Sequence, residues 1–217
     1  MRVICVTGNT ATGTTTLTRR FNEVVGWSAV YSEDYIHRSP FFRRFLETPT
    51  RWAFHNQVFF FAEYAKWYRA VVSGEKDDHG IVCLDYSAYE LLVYTEAMAA
   101  CGFLDEAEHA TLLSLFRVLE PTLRAPDLLI HVHAPVDVLI QRIKARGRPG
   151  ESRIGVDYLR ALQESFSRFI ASWTRTPVLT IDSADVDFAH DDDVVRSIGA
   201  QALRQLAADA KGGFLVS

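Results

Sequence analysis

The chain has 217 residues, 48% hydrophobic and 23% charged, a length and mixture that suit one domain with a sizeable core. Its formal net charge of −4 gives no electrostatic reason to expect nucleic acid or an anionic membrane as partner. Three cysteines (Cys5, Cys83 and Cys101), odd in number and irregular in spacing, argue against a disulfide framework and fit a reduced, cytoplasmic setting, and the N-terminal apolar run is too short for a signal segment or a membrane span.

Arg2 to Thr7 is a continuous run rich in β-branched residues that ends at a glycine, so it predicts a strand buried on both faces. A glycine- and threonine-rich loop follows over 8–15, and then Leu17 to Val25 reads as a helix, which makes strand, tight loop and helix the opening of a βαβ unit. Ser28 to Tyr31 predicts a second strand that runs into Ser32-Glu33-Asp34. Phe41 to Val72 is dense in aromatic residues at helical spacing, with Pro49 separating a short helix from a long one. Ile81 to Asp85 predicts a buried strand ending in a carboxylate, Leu104 to Leu119 a helix, Asp127 to His133 a strand and Val136 to Ala145 a helix. A basic stretch with glycine and proline, Arg146 to Arg153, precedes a helix over Val156 to Trp173, a last strand over Pro177 to Ile181 and a closing helix over Asp191 to Lys211. Short apolar strands alternating with helices predict an α/β fold: an open parallel sheet with helices on both faces, in one domain over 1–217, with a short lid at about 146–155.

Gly8-Asn9-Thr10-Ala11-Thr12-Gly13-Thr14-Thr15 fits the phosphate-loop pattern G-x-x-x-x-G-K-[ST] everywhere but at position 14. Backbone N–H groups of such a loop cradle phosphate oxygens, and the hydroxyl of Thr15 falls where Mg²⁺ would be held. Thr14 stands where a lysine would bridge the β- and γ-phosphates. The loss of a charged donor aimed at a transferring phosphoryl group costs about 3 kcal/mol or more. Glu33, Asp34 and Asp85 follow strand ends, where an open sheet has its ligand crevice, and an acid there can take a hydroxyl proton or hold Mg²⁺. Arg142, Arg146, Arg148 and Arg153, interleaved with Gly147, Pro149 and Gly150, read as a lid able to close over a triphosphate, or alternatively as a solvated helix end.

Arg51-Trp52-Ala53-Phe54-His55-Asn56-Gln57, then Asp85-Tyr86-Ser87-Ala88-Tyr89, then Arg142-Ile143-x-x-Arg146-Gly147-Arg148-Pro149-x-Glu151 with Tyr158-Leu159, resembles the deoxyribonucleoside kinases, most closely the bacterial deoxyguanosine and deoxyadenosine kinases. The likeness runs in order from about residue 3 to 188. It implies an ATP- and Mg²⁺-dependent kinase acting on a nucleoside 5′-hydroxyl, and a homodimer. Glu33 matches the general base, and Arg146 and Arg148 the lid arginines on the phosphates. The phosphate loop with Arg142 matches the nucleotide site, and Thr15 and Asp85 the Mg²⁺ site. Gln57 matches the reader of the base edge, Trp52 a stacking residue and Glu151 the acid on the sugar 3′-hydroxyl, and Tyr86, a candidate substrate-binding residue, stands after Asp85 where much of the family has an arginine, as it does in the bacterial branch. Three departures stand against it: Thr14 for the lysine, Leu46 where a sugar-binding tyrosine is usual, and a longer stretch at Tyr35 to Ser39. The loop together with Ser32 to Tyr35 also resembles the uridine and nicotinamide riboside kinases, in which case Asp34 is the base. A degenerate nucleotide- or nucleoside-binding module, or a repurposed enzyme acting on another small molecule, remains the alternative that Thr14 and Leu46 raise.

Overall fold

The computed structural model describes residues 1–31, 38–72, 80–148 and 150–212. Five strands form one parallel sheet: β1 (Arg2–Thr7), β2 (Ser28–Val30), β3 (Ile81–Leu84), β4 (Leu128–His133) and β5 (Val178–Asp182), in the spatial order β2-β3-β1-β4-β5. The expected open parallel sheet is thus present. β1 lies at its centre, and the chain turns to one side of it for β2 and β3 and to the other for β4 and β5. Such a reversal opens a crevice beyond the carboxyl ends of the central strands.

The helices are α1 (Thr14–Arg20), continued as a wider turn over Phe21–Val25, α2 (Phe42–Glu47), α3 (Pro49–Val72), α4 (Glu90–Ala100), α5 (Glu106–Leu119), α6 (Val136–Arg146), α7 (Val156–Ser172) and α8 (Asp192–Gly212). Alternation along β1 explains why its sequence is apolar throughout. Val3 and Cys5 face a core shared with α2, α3, α4, α5 and α7, while Ile4 and Val6 face a second core shared with α1 and α8. Cys5 and Cys83 are buried free thiols, and Cys101 is a half-buried one.

The structure adds a helix that the pattern did not reveal. In α4, Leu91, Val93, Thr95, Ala97 and Met98 are all buried, so no polar face marks its period. Other boundaries shift modestly. The first helix starts at Thr14 rather than Leu17, because the loop feeds directly into it. Strand β3 stops at Leu84, leaving Asp85 just beyond. The helix expected from Leu104 starts at Glu106 behind a capping box, in which Glu108 N–H donates to Asp105 Oδ1 at 2.8 Å and Asp105 N–H to Glu108 Oε2 at 3.1 Å.

Candidate active site

The loop after β1 is held by its own side chains and by α7. The Asn9 amide nitrogen donates to Leu159 O at 2.9 Å, and the Thr12 hydroxyl donates to Asn9 O at 2.8 Å. Ala11 has φ 66°, a left-handed conformation that a residue with a Cβ adopts only under constraint. A Cβ at Gly8 would lie 2.2 Å from Val132 O, and one at Gly13, where φ is 102°, would lie 2.9 Å from Phe188 Cζ. Gly8 is therefore required by contact, and Gly13 by contact as well as by its left-handed backbone. With Gly13 flanking the start of α1, no side chain caps the first backbone N–H groups of that helix. A strained, glycine-lined loop with uncapped donors suits a polyphosphate.

Two clefts flank this loop. The inner one, about 170 Å³, is enclosed by α2, α3 and α4 and walled by Phe42, Phe45, Phe60, Tyr64 and Tyr158. The outer one, about 760 Å³, lies between the loop, the arginines of α6 and the segment Ser183 to His190. Ala11, Thr14, Thr15, Arg146 and Arg148 line both. A group lying in one cleft can thus meet a group lying in the other at this junction.

Polar groups in the inner cleft are few and fixed. Thr15 Oγ1 donates to Asp85 Oδ2 at 3.1 Å, so a hydroxyl and a carboxylate sit side by side at the loop. That donor pair suits Mg²⁺, which takes one or two protein oxygens and completes its shell with phosphate and water. Among the described residues no group of three or more His, Cys, Asp or Glu side chains is arranged to hold a metal alone. Gln57 is 1% exposed, and its Nε2 donates to Leu91 O at 2.8 Å and Thr95 Oγ1 at 3.0 Å, while Thr95 Oγ1 donates to Leu91 O at 2.7 Å. The three heavy atoms form a nearly equilateral triangle, too narrow for two N–H bonds of one amide to serve one acceptor each. Gln57 lines the inner cleft, so its amide can offer a donor and an acceptor there.

Glu90 also lines this cleft, and burial pushes its carboxyl well above the usual range; its Oε1 accepts the Ser87 N–H at 2.9 Å. Tyr86 stacks on Tyr64 with ring centroids 4.2 Å apart.

At the rim, Glu151 is 8% exposed and its Oε2 accepts from Arg146 Nε at 3.0 Å and Arg146 Nη2 at 2.6 Å; Arg148 Nη1 lies 4.0 Å from Oε1. Arg142 has another task besides lining the outer cleft. Its guanidinium donates to Ala11 O and Thr12 O at 3.4 Å, and to Ser183 Oγ at 2.8 Å and Ser183 O at 2.6 Å, tying the phosphate loop to the segment after β5.

The structure thus brings together most of the expected set: the loop from Gly8 to Thr15, Gln57, Asp85, Tyr86, Arg142, Arg146, Arg148 and Glu151. Glu33 and Asp34, with Pro149 and Tyr35 to His37, lie outside the described residues. Trp52 lies outside the cleft lining: its ring packs on Phe41 and His55 under the Arg44 guanidinium, 4.8 Å from the centroid. The aromatic count around it concealed which side of α3 faces the cleft. Glu90 and Asn56 line the cleft without having been singled out. For Glu90 a signal existed, since Ser87-Ala88-Tyr89-Glu90 has the S-x-x-E spacing of a capping box before an apolar run.

Comparison with known proteins agrees with this architecture. The deoxynucleoside kinase family model matches residues 4–206. A deoxyadenosine/deoxycytidine kinase of Bacillus subtilis is 26% identical over 199 residues, covering 90% of this chain and 89% of that protein. A deoxyguanosine kinase of Lactobacillus johnsonii is 27% identical over 197 residues, covering 87% and 85%. A solved structure of deoxyadenosine kinase from M. mycoides with bound dATP superposes with a TM-score of 0.79 at 18% identity, over 92% of this chain and 98% of that one. With a family match spanning nearly the whole chain and both clefts formed around its phosphate loop, the chain belongs to the deoxynucleoside kinase family.

Proposed function

We propose that this nucleoside kinase transfers the γ-phosphoryl group of ATP to the 5′-hydroxyl of a deoxynucleoside-like acceptor. The observation that carries the reading is the meeting of the two clefts at Thr14, Thr15, Arg146 and Arg148. The outer cleft takes the nucleotide and the inner cleft the acceptor. Mg²⁺, held by Thr15 and Asp85, would supply charge neutralisation on the β- and γ-phosphates. Loop N–H groups orient the phosphates, and Arg146 and Arg148 face them across the junction. Glu33, or Asp34 in its place, accepts the hydroxyl proton. Gln57 presents its donor–acceptor pair to the base edge, Tyr64 and Tyr86 pack around the base, and Glu151 reaches the sugar 3′-hydroxyl. The relatives' activities on deoxyadenosine, deoxycytidine and deoxyguanosine support a nucleoside with an amino-bearing base.

The chain acts as one domain, in the cytoplasm, as a homodimer; among the described residues no helix is long and apolar enough to cross a membrane. Thr14 favours a second reading, a protein that binds nucleotide without turnover. The test is ADP release by the purified chain with ATP, Mg²⁺ and a panel of deoxynucleosides. Turnover that disappears in Glu33→Gln supports the kinase with Glu33 as base, and loss in Asp34→Asn alone moves the base there. Saturable ATP binding without turnover supports the second reading.

A further inference from the structure

The loop lacks its bridging cation at Thr14, and the structure narrows what can replace it. Among the described residues lining the two clefts there is no lysine. The cationic side chains there are Arg19, Arg142, Arg146 and Arg148. Arg19 lines only the outer cleft, is half exposed and pairs with Glu23 at 2.8 Å. The Arg142 guanidinium is committed to four oxygens of the loop and of Ser183. The two that reach both clefts are Arg146 and Arg148.

These two are not equivalent. Arg146 is the last residue of α6, a helix anchored by buried Leu139 and Ile143. Arg148 comes after Gly147, where φ of 61° ends the helix, so its backbone belongs to the loop that follows. The Arg146 fork donates through Nε and Nη2 to one oxygen of nearly buried Glu151. That two-point hold fixes the plane of the guanidinium and leaves N–H bonds on both terminal nitrogens for phosphate oxygens. Helix α6 holds the backbone of Arg146 and Glu151 holds its guanidinium, whereas the backbone of Arg148 has already left the helix.

We propose that Arg146 takes over the charge that this loop lacks at Thr14, bridging donor and transferred phosphates. The inference rests on the kinase reading for the identity of the ligand. In the transfer, the bond from the acceptor oxygen to γ-phosphorus forms as the bond to the β–γ bridging oxygen breaks. That electron pair leaves with ADP, and the hydroxyl proton goes to the carboxylate base. Arg146 keeps its protons throughout and stabilises the charge on the oxygens.

A double-mutant cycle tests the substitution of one cation for another. Arg146→Met, Thr14→Lys and the double variant are compared for kcat and ATP KM, and for binding of a non-hydrolysable ATP analogue with Mg²⁺, with thermal midpoints recorded. Arg146→Met in the native loop lowers kcat by about 10²–10³-fold. In the Thr14→Lys background the same change costs under about tenfold, because the new ammonium covers the same oxygens. Equal losses in both backgrounds, in turnover and in analogue binding, overturn the inference while leaving a kinase standing. A chain without turnover whose analogue binding still shows the coupling loses the kinase reading and keeps the inference. If Arg146→Met does not fold, Arg146→Lys serves instead: it keeps the charge and loses the fork, and is expected to fall between the native chain and the Met variant in the native loop only.

Discussion

The two clefts that meet at the phosphate loop are built in opposite ways. The inner cleft is an indentation of the larger hydrophobic core: Phe45, Phe60, Tyr64, Tyr86, Met98 and Tyr158 belong both to its wall and to that core. Gln57, Asp85, Glu90 and Glu151 are buried in it, and burial raises the pKa of Glu90. The outer cleft is made of loop backbone, threonine hydroxyls and arginines, with its far wall in the segment after β5. The shape of the inner side is therefore inseparable from stability. On the outer side the binding chemistry rests on local backbone geometry and charge.

Five measurements would break or sharpen that contrast. Asp85→Asn acts on the inner-cleft partner of the junction residue Thr15, and its effect is expected to be the largest: kcat falls by about 10²–10³-fold, with a higher Mg²⁺ requirement in steady-state assays. Unchanged Mg²⁺ dependence would remove Asp85 from the metal site. The next effect belongs to the inner side. His131 is 6% exposed on β4, packed against Phe166 with Nδ1 unpartnered, and burial lowers its pKa from 6.5 to about 4. Between those values the unfolded chain binds the extra proton and the folded chain does not, so stability drops as pH falls from 6.5 to 4, by about 3 kcal/mol in all. Urea midpoints against pH should show this slope, and His131→Leu should lose it. Glu90 works in the opposite sense. Burial raises its pKa, so the folded chain holds the proton longer and stability drops as pH rises above the ordinary carboxylate range. Glu90→Gln should remove that loss.

On the outer side, Gly8→Ala forces its new methyl group against Val132 O and Thr12 Oγ1. About 1–3 kcal/mol of stability should go, together with weaker ATP binding by titration, while base preference stays unchanged. The smallest expected effect is selectivity. Gln57→Leu removes the donor–acceptor pair, so the preference for an amino-bearing base over the same base without the amino group should fall by about tenfold in kcat/KM. If Gln57→Leu altered ATP KM instead, the division between the two sides would fail.

What could be read in the chain itself divides along the same line. The phosphate loop was legible because its work is local: two glycines, a run of small residues and a strand before a helix are neighbours in sequence as in space. Arg146, Arg148 and Asp85 were legible for a similar reason, each lying beside a recognisable strand or helix end. The inner cleft was far less so. Trp52 was expected to stack on the base and instead packs outside the lining under Arg44. Glu90 and Asn56 were not singled out, and both line the cleft at 2% and 1% exposure. The whole of α4 went unseen because burial on every side erases the polar stripe by which a helix shows its period.

The sequence by itself determined the alternation of strands and helices, the parallel sheet, the phosphate loop and the absence of its lysine. These follow from periods of two and 3.6 and from residue types that few other backbones need. Tertiary structure decided which aromatic rings face the inner cleft and that Arg142 braces the loop. Each of those depends on how separate helices rotate about their axes when they pack, and that rotation is set by contacts between residues far apart in the chain.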